Sequence, residues 1–413
     1  MSMTPGRRPR FFYGYVVAAA CFAIQGIGIG TFISFGVFFK PLLNEFGWSR
    51  AAISGASSVS FLVAGLLGIF VGSLNDKFGP KLIMTITGFF FGLGYLLMSQ
   101  LEALWQLYLF YGVVIGLGMS SIDVIMLSTV ARWFVRRRGV MTGMVKVGTG
   151  AGQLVIPLLA SVFIAAYGWR NAYIIIGAMV LVLIISIGRL LRRDPGEMGL
   201  LPDGDGETVV VGENDLTGGG LSLDEARRTR EFWTLCVVNL AVVYCLLTVM
   251  VHIVPHARDI GISAIKAAGI LSTIGGVSMV GRLVTGIAID RMGSKRAMMG
   301  SLLILIISFS WLLMAKELWM LYLFAVVYGL AHGGIFTVIS PIVAEHFGIS
   351  SHGVIFGIVV FSGTIGGAIG PLLAGHIFDL TGSYQLVFLI LAALGTVSLV
   401  LTSLLRPVRG EIG

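Results

Sequence analysis

The sequence predicts an all-α membrane protein of twelve transmembrane helices in two pseudo-symmetric six-helix bundles, and three observations carry that expectation. The 413 residues are 56% hydrophobic and only 12% charged, about half the charge of an average soluble domain. The apolar runs are of membrane length: Phe12 to Phe39 and Ala297 to Ala315 contain no Asp, Glu, Lys or Arg, and about 18 such residues suffice to cross a bilayer core. The two halves of the chain also repeat at a constant spacing of 214 residues.

Taken in order, the spans are placed at 12–38, 52–74, 82–101, 106–130, 139–164, 171–188, 232–256, 267–289, 297–315, 320–343, 352–377 and 384–405. In lipid each backbone polar group must be satisfied within its own segment, so these are helices and not strands. The basic N-tail (Arg7, Arg8, Arg10) leads into a span too long for a signal-peptide core and without a cleavage site, which reads as a retained first helix. Cys21, Cys236 and Cys245 all sit in apolar runs and read as small hydrophobic packers, with no disulfide or metal spacing.

With both termini cytoplasmic, twenty Lys and Arg residues fall inside, six fall outside (Lys40, Arg50, Arg170, Arg258, Lys266, Lys316) and two, Lys146 and Arg282, lie within spans. That bias sets the orientation by the positive-inside rule and implies a multi-pass protein of the plasma (inner) membrane. The formal net charge of +8 faces the anionic cytoplasmic leaflet, so the lipid bilayer, and no nucleic acid, accounts for it. Residues 1–191 form the first bundle, 192–230 a cytoplasmic linker rich in Asp, Glu and Gly, and 231–413 the second bundle. Leu221 to Arg230 is expected to form a short interfacial helix ahead of the seventh span.

Three separated motifs share the 214-residue offset. Asp76-Lys77-x-Gly79-x-Lys81 matches Asp290-Arg291-x-Gly293-x-Lys295, Leu107-Tyr108-Leu109-Phe110 matches Leu321-Tyr322-Leu323-Phe324, and Pro157-Leu158-Leu159-Ala160 matches Pro371-Leu372-Leu373-Ala374. Tandem copies of one topology imply parallel repeats, with substrate bound between the halves near the midplane. In the first motif Gly72 and Gly286 let helices approach closely. Asp76 and Asp290 can meet a basic residue or a helix N-terminus, while Lys77 and Arg291 complete a charged latch between conformations. This doubled loop resembles the signature loop of the major facilitator superfamily. The resemblance covers the whole chain and implies the major facilitator fold with alternating access by rocking of the two halves.

Ionisable residues inside a membrane are costly and usually functional. Arg282 lies eight residues before Asp290, about 12 Å along a helix, too deep to snorkel easily. Ser278 occupies the position one turn earlier, and no acidic residue stands there. A guanidinium so placed suits a carboxylate, which it can bind bidentately; a structural ion pair with Asp123 or another acid is the alternative. Lys146 and Asp123, at similar depth on consecutive helices, pair with each other, face solvent or handle a proton. His252, His256 and Asp259, on the outer end of span 7, can form a proton route. Gln25, Thr31, Tyr328 and His332 are further candidate groups for the substrate cavity.

A narrower resemblance rests on Trp133 through Gly150, where an aromatic residue and the basic run Arg136-Arg137-Arg138 precede Gly139, Gly143, Gly148 and Gly150. This is similar to the span-5 motif of the monocarboxylate transporters. Arg282 falls where that family places its substrate arginine. The linker run Pro195-Gly196-Glu197-Met198-Gly199-Leu200-Leu201-Pro202-Asp203-Gly204 resembles the bacterial carboxylate branch, near the oxalate/formate exchangers. Two departures from the animal carriers stand out: those carriers have an Asp at the Ser278 position and a span-1 lysine near Ile33. Oxalate exchangers differ as well, in carrying a second cation in span 11, which here has no Lys or Arg. The resemblance implies proton-coupled symport of a small monocarboxylate such as lactate or pyruvate, with an oxalate/formate-type organic anion exchanger as the alternative. An exporter of amphipathic cations is disfavoured by Arg282, and a non-transporting membrane receptor is a further alternative. No nucleotide motif, metal-ligand cluster or nucleophile–base spacing is present, so no enzyme, cofactor or metal is expected, and the expected partners are a small monocarboxylate anion and a proton, with no obligate protein.

Overall fold

The computed structural model of the chain describes residues 12–48, 50–204 and 220–406. The N-tail arginines Arg7, Arg8 and Arg10, the linker carboxylates Asp205, Glu207, Glu213 and Asp215, and Arg409 lie outside the described residues. The helices are α1 Gly14–Ile33, α2 Phe35–Phe46, α3 Arg50–Phe78, α4 Pro80–Met98, α5 Leu104–Trp133, α6 Arg138–Gly188, α7 Arg230–Asp259, α8 Ala264–Met292, α9 Ser294–Leu312, α10 Leu318–Phe347, α11 His352–Thr381 and α12 Gln385–Leu404. Among the described residues, eleven of the spans so defined are long and apolar enough to cross a membrane. The 51-residue α6 is two of the expected spans joined, since Gly168 takes φ 79° and ψ 162° in its middle. A helix of that length would measure about 77 Å, against a core of about 30 Å. Twelve spans result.

Helix ends overrun several expected boundaries. The second span was expected to stop at 74 and the eighth at 289, yet α3 runs to Phe78 and α8 to Met292. Hydropathy marks where lipid ends, whereas the backbone stays helical until a residue leaves the αR region. Here Gly79 (φ 80°) and Gly293 (φ 85°) do so, a conformation that an L side chain resists. The first span is divided at Ser34 into α1 and α2. The carbonyls released there find partners: Thr31 O accepts the Tyr95 hydroxyl at 2.8 Å and Phe32 O the Tyr111 hydroxyl at 2.9 Å, which meets the need of a helix C-terminus in lipid. Tyr111 lies in a π-helical stretch of α5, Tyr108–Ile115.

The chain forms two compact units, Met1–Ser222 with Phe347–Gly357, and Leu223–His346 with Ile358–Gly413. In the first, α1 and α6 cross through paired glycines. A Cβ on Gly152 would lie 1.8 Å from the Gly26 carbonyl oxygen, and one on Gly148 2.3 Å from that of Phe22, so only glycine permits the contact. In the second unit Gly366 meets Leu240 O in the same way, at 2.0 Å, and both partners lie 214 residues further on. The left-handed glycines repeat as well: Gly47 with Gly261, Gly79 with Gly293, Gly168 with Gly382. The Leu-Tyr-Leu-Phe repeat has a packing reason, because the Tyr108 hydroxyl occupies the space over Gly55 and the Tyr322 hydroxyl that over Gly269.

The described start of the linker folds onto the first unit. Tyr13 donates to Leu190 O and Trp133 Nε1 to Arg192 O. The Asp203 carboxylate accepts the backbone N–H groups of Val135, Arg136 and Arg137. The interfacial helix expected over Leu221 to Arg230 is a single turn, Leu223–Ala226. All three cysteines are buried in the packing. Large side chains such as Leu154, Leu158 and Leu372 stand exposed, as lipid-facing residues do.

Candidate functional site

In the first unit the α1–α6 crossing gathers a polar cluster. Lys146 Nζ lies 2.6 Å from Asp123 Oδ1. Gln25 Nε2 donates to the same Asp123 oxygen at 2.8 Å and to Ile122 O at 3.2 Å, and Gln25 Oε1 accepts from Thr149 at 2.9 Å. Gln25 and Lys146 are buried, while the Asp123 side chain is 36% exposed. The lysine is thus matched by a carboxylate beside it, and the amide orients that carboxylate. Thr31 is buried in the same helix, with its carbonyl on Tyr95.

The second unit places Arg282 at 4% exposure. It sits where α8 meets α10 at close range: a Cβ on Gly333 would lie 2.0 Å from Ser278 O and 3.0 Å from the Arg282 amide nitrogen. Ser278 is buried and its hydroxyl turns back to Gly275 O at 2.7 Å. His332, adjacent to Gly333, is within electrostatic reach of Arg282 and packs against Tyr328 and Phe336; its Nδ1 makes no hydrogen bond among the described residues. Tyr328 is fully buried, with its hydroxyl on Leu246 O at 2.7 Å. Arg282, Ser278 and His332 are therefore neighbours, whereas the Tyr328 hydroxyl is committed to joining α10 to α7.

Asp76 stands at the end of α3 with Arg132 Nη2 at 2.6 Å. It also accepts the backbone N–H groups of Gly353 (3.2 Å) and Val354 (3.1 Å) in the first turn of α11. Gly72 opens this approach, since a Cβ there would lie 2.2 Å from Gly353 O. Lys77 is exposed, with its ammonium over the Phe78 ring. In the second unit Asp290 is half-buried and Arg291 exposed. There the N-terminus of α9 is capped by Glu345, whose carboxylate accepts the Ser294 amide and hydroxyl.

At the other end of α7, His252 bonds Tyr384 and the Pro371 carbonyl. Asp259 does not join that pair directly; it lines a cavity of about 230 Å³ with His256, Lys316 and Tyr384. In the first unit Glu45 receives Arg170 Nη1 and Trp169 Nε1. These hydrogen bonds hold its carboxyl below the usual carboxylate range.

Sequence reading missed Arg132, Thr149, Asn239 and Tyr384. Asn239, whose amide donates to Val359 O at 2.6 Å, is 214 residues after Gln25, so the repeat was a usable signal. Arg132 was hidden in a basic run that reads as a cytoplasmic loop. Tyr384 and Thr149 carry no pattern of their own.

The sequence profile of the Major Facilitator Superfamily matches residues 12–287 and 278–411. Human monocarboxylate transporter 11 is 28% identical over 404 residues, covering 95% of this chain and 83% of that protein. Monocarboxylate transporter 13 of Bos taurus is 29% identical over 392 residues, covering 92% and 86%. Among solved structures, the human organic anion transporter MFSD10 superposes with a TM-score of 0.73 at 15% identity, over 94% of this chain and 99% of that one. The E. coli fucose:proton symporter does so with a TM-score of 0.72 at 16% identity, over 95% and 98%. At such identities the structures speak for the fold alone, and the sequence relatives are transporters, not enzymes. With the repeat, the doubled loop and the profile match in agreement, the chain belongs to the Major Facilitator Superfamily and is a multi-pass membrane transporter.

Proposed function

We propose that this transporter is a proton-coupled symporter of small monocarboxylates of the lactate or pyruvate type, working by alternating access in the plasma (inner) membrane with both termini cytoplasmic. The observation that carries the reading is Arg282, a buried guanidinium in α8 beside Ser278 and His332. The names of the sequence relatives favour the same substrate class. An anion leaving water for such a place loses hydration, and a fixed positive charge compensates for that loss. Arg282 binds the carboxylate, with Ser278 and His332 beside it as the polar surroundings. Ser278 cannot carry a proton as the aspartate of the animal carriers would, so coupling falls to Asp123 with Lys146, or to His252 and Asp259. Asp76 with Lys77, and Asp290 with Arg291, act as the conformational latch.

The test is transport by reconstituted protein together with binding to Arg282 variants. Lactate accumulation should rise as outside pH falls and vanish with a proton uncoupler. Accumulation that survives the uncoupler but requires an internal organic anion would establish exchange instead. Arg282→Ala should weaken lactate or pyruvate binding by a hundredfold or more, since removing one partner of a buried pair costs roughly 3–5 kcal/mol and a decade of affinity is about 1.4 kcal/mol. Arg282→Lys keeps the charge without the planar fork and should recover part of the affinity. Near-normal binding by well-folded Arg282→Ala would remove this residue from the site.

A further inference from the structure

His252 has both ring nitrogens engaged, and the chemistry of its partners dictates its protonation. Nε2 lies 2.9 Å from the Pro371 carbonyl oxygen of α11, and Nδ1 lies 3.0 Å from the Tyr384 hydroxyl. A carbonyl only accepts, so Nε2 bears the hydrogen and the neutral ring takes the Tyr384 O–H at Nδ1. Tyr384 is held in register by its ring neighbours Phe378 and Phe388, at 4.4 and 6.0 Å between centroids. It also lines the cavity of about 230 Å³ shared with His256, Asp259 and Lys316, room for several waters at about 30 Å³ each. The phenol therefore stands between this cavity and a half-buried imidazole.

We infer that Tyr384 relays protons from this cavity to His252, a step that rests on the symport reading above. A hydronium in the cavity gives its proton to the Tyr384 oxygen as the O–H proton of Tyr384 passes to His252 Nδ1. Water and neutral tyrosine remain, and His252 becomes an imidazolium whose Nε2–H stays on Pro371 O. The hydrogen that Tyr384 has gained already faces the cavity, and the new His252 Nδ1–H now donates to the phenol oxygen, so the direction of the bonding between α7 and the start of α12 reverses with one proton. The carboxylates of Asp259 and Asp379 also lie within electrostatic reach of Tyr384. The other titratable groups around the pair are His256 on α7, whose ring meets Tyr384 edge-on, Lys316 ahead of α10, and His376 on α11, next to Gly375, which approaches the His252 ring.

The experiment compares proteoliposomes of wild type, Tyr384→Phe and His252→Gln, reading the ratio of lactate accumulated under a pH gradient to lactate–lactate exchange. Phenylalanine keeps the ring packing without the hydroxyl. Glutamine keeps a donor for Pro371 O and an acceptor for Tyr384 but does not titrate, so it carries the same test if the first variant does not fold. The ratio should fall about a hundredfold or more in each, the contribution usual for a positioned acid–base group. An unchanged ratio in either folded variant, or accumulation and exchange falling in equal proportion, overturns the relay while leaving symport standing. Wild type that exchanges lactate but never accumulates it overturns the symport reading and the relay together.

Discussion

Lys146 and Asp123 show what a membrane interior demands of opposite charges. Their 2.6 Å contact neutralises both, and Gln25 supplies a further donor to the carboxylate. Removing the lysine strands an anion, so Lys146→Met should lower the thermal midpoint. The cost should lie toward the low end of the roughly 3–5 kcal/mol seen for broken buried pairs, because the Asp123 side chain is 36% exposed. The double variant Lys146→Met with Asp123→Asn should recover most of the loss, since asparagine still accepts from Gln25. A double-mutant cycle of melting midpoints checks this, and strictly additive losses would deny the coupling. Glu45 makes a smaller, pH-dependent contribution. Its carboxyl is held below the ordinary range, so its stabilisation is present above the unfolded-state value of about 4.3 and fades as pH falls through the lower folded value. Glu45→Gln should flatten the acid limb of the melting-temperature profile and leave neutral pH little changed, as expected of a pair as exposed as this one.

The α1–α6 crossing depends on glycine for space and not for flexibility. In Gly152→Ala the new Cβ would meet the Gly26 carbonyl oxygen at 1.8 Å, and backbone cannot rotate away as a side chain can. The helices must part, which would also separate Gln25 from Thr149. Overpacking typically costs about 1–3 kcal/mol, and a backbone clash should cost at least that. Gly300→Ala in α9 is the control, because nothing lies within 4 Å of its Cβ; it should be neutral or gain up to about 1 kcal/mol from helix propensity. Melting midpoints of the two variants separate the roles, and equal behaviour would sink the packing account. The spacing of small residues in span 5 made a close contact legible. Which helix would fill it was not, because small residues invite any apolar neighbour.

Two copies of one six-span plan account for most of the chain, and the departures between them carry the chemistry. Asp76 is tied to Arg132 and to the first turn of α11, and its repeat mate Asp290 is half-buried in the second unit. If Asp76 serves as a latch, Asp76→Asn should slow exchange at saturating lactate several-fold while leaving lactate affinity nearly unchanged, since it changes a conformational equilibrium and not a ligand contact. Lys77→Ala, with an exposed side chain, should do much less. A variant with altered affinity and normal rate would contradict the latch reading.

Span number, the tandem halves and the superfamily were readable in the chain because each rests on a local or periodic property. Twenty apolar residues must cross lipid as a helix, and a motif repeated at one offset must recur at equivalent places. Helix ends were less legible, since hydropathy reports lipid and not backbone geometry. Arg282 stood out because a deep guanidinium is expensive wherever it lies. Its neighbours did not: the approach of Gly333 to Ser278, the Arg132–Asp76 pair and the Tyr384–His252–Pro371 chain join residues 55, 56 and more than 110 positions apart. Such pairings depend on which helix faces set against one another. That choice belongs to tertiary packing, where glycine clearances and hydrogen-bond partners from distant helices are settled together, and no short stretch of sequence encodes it.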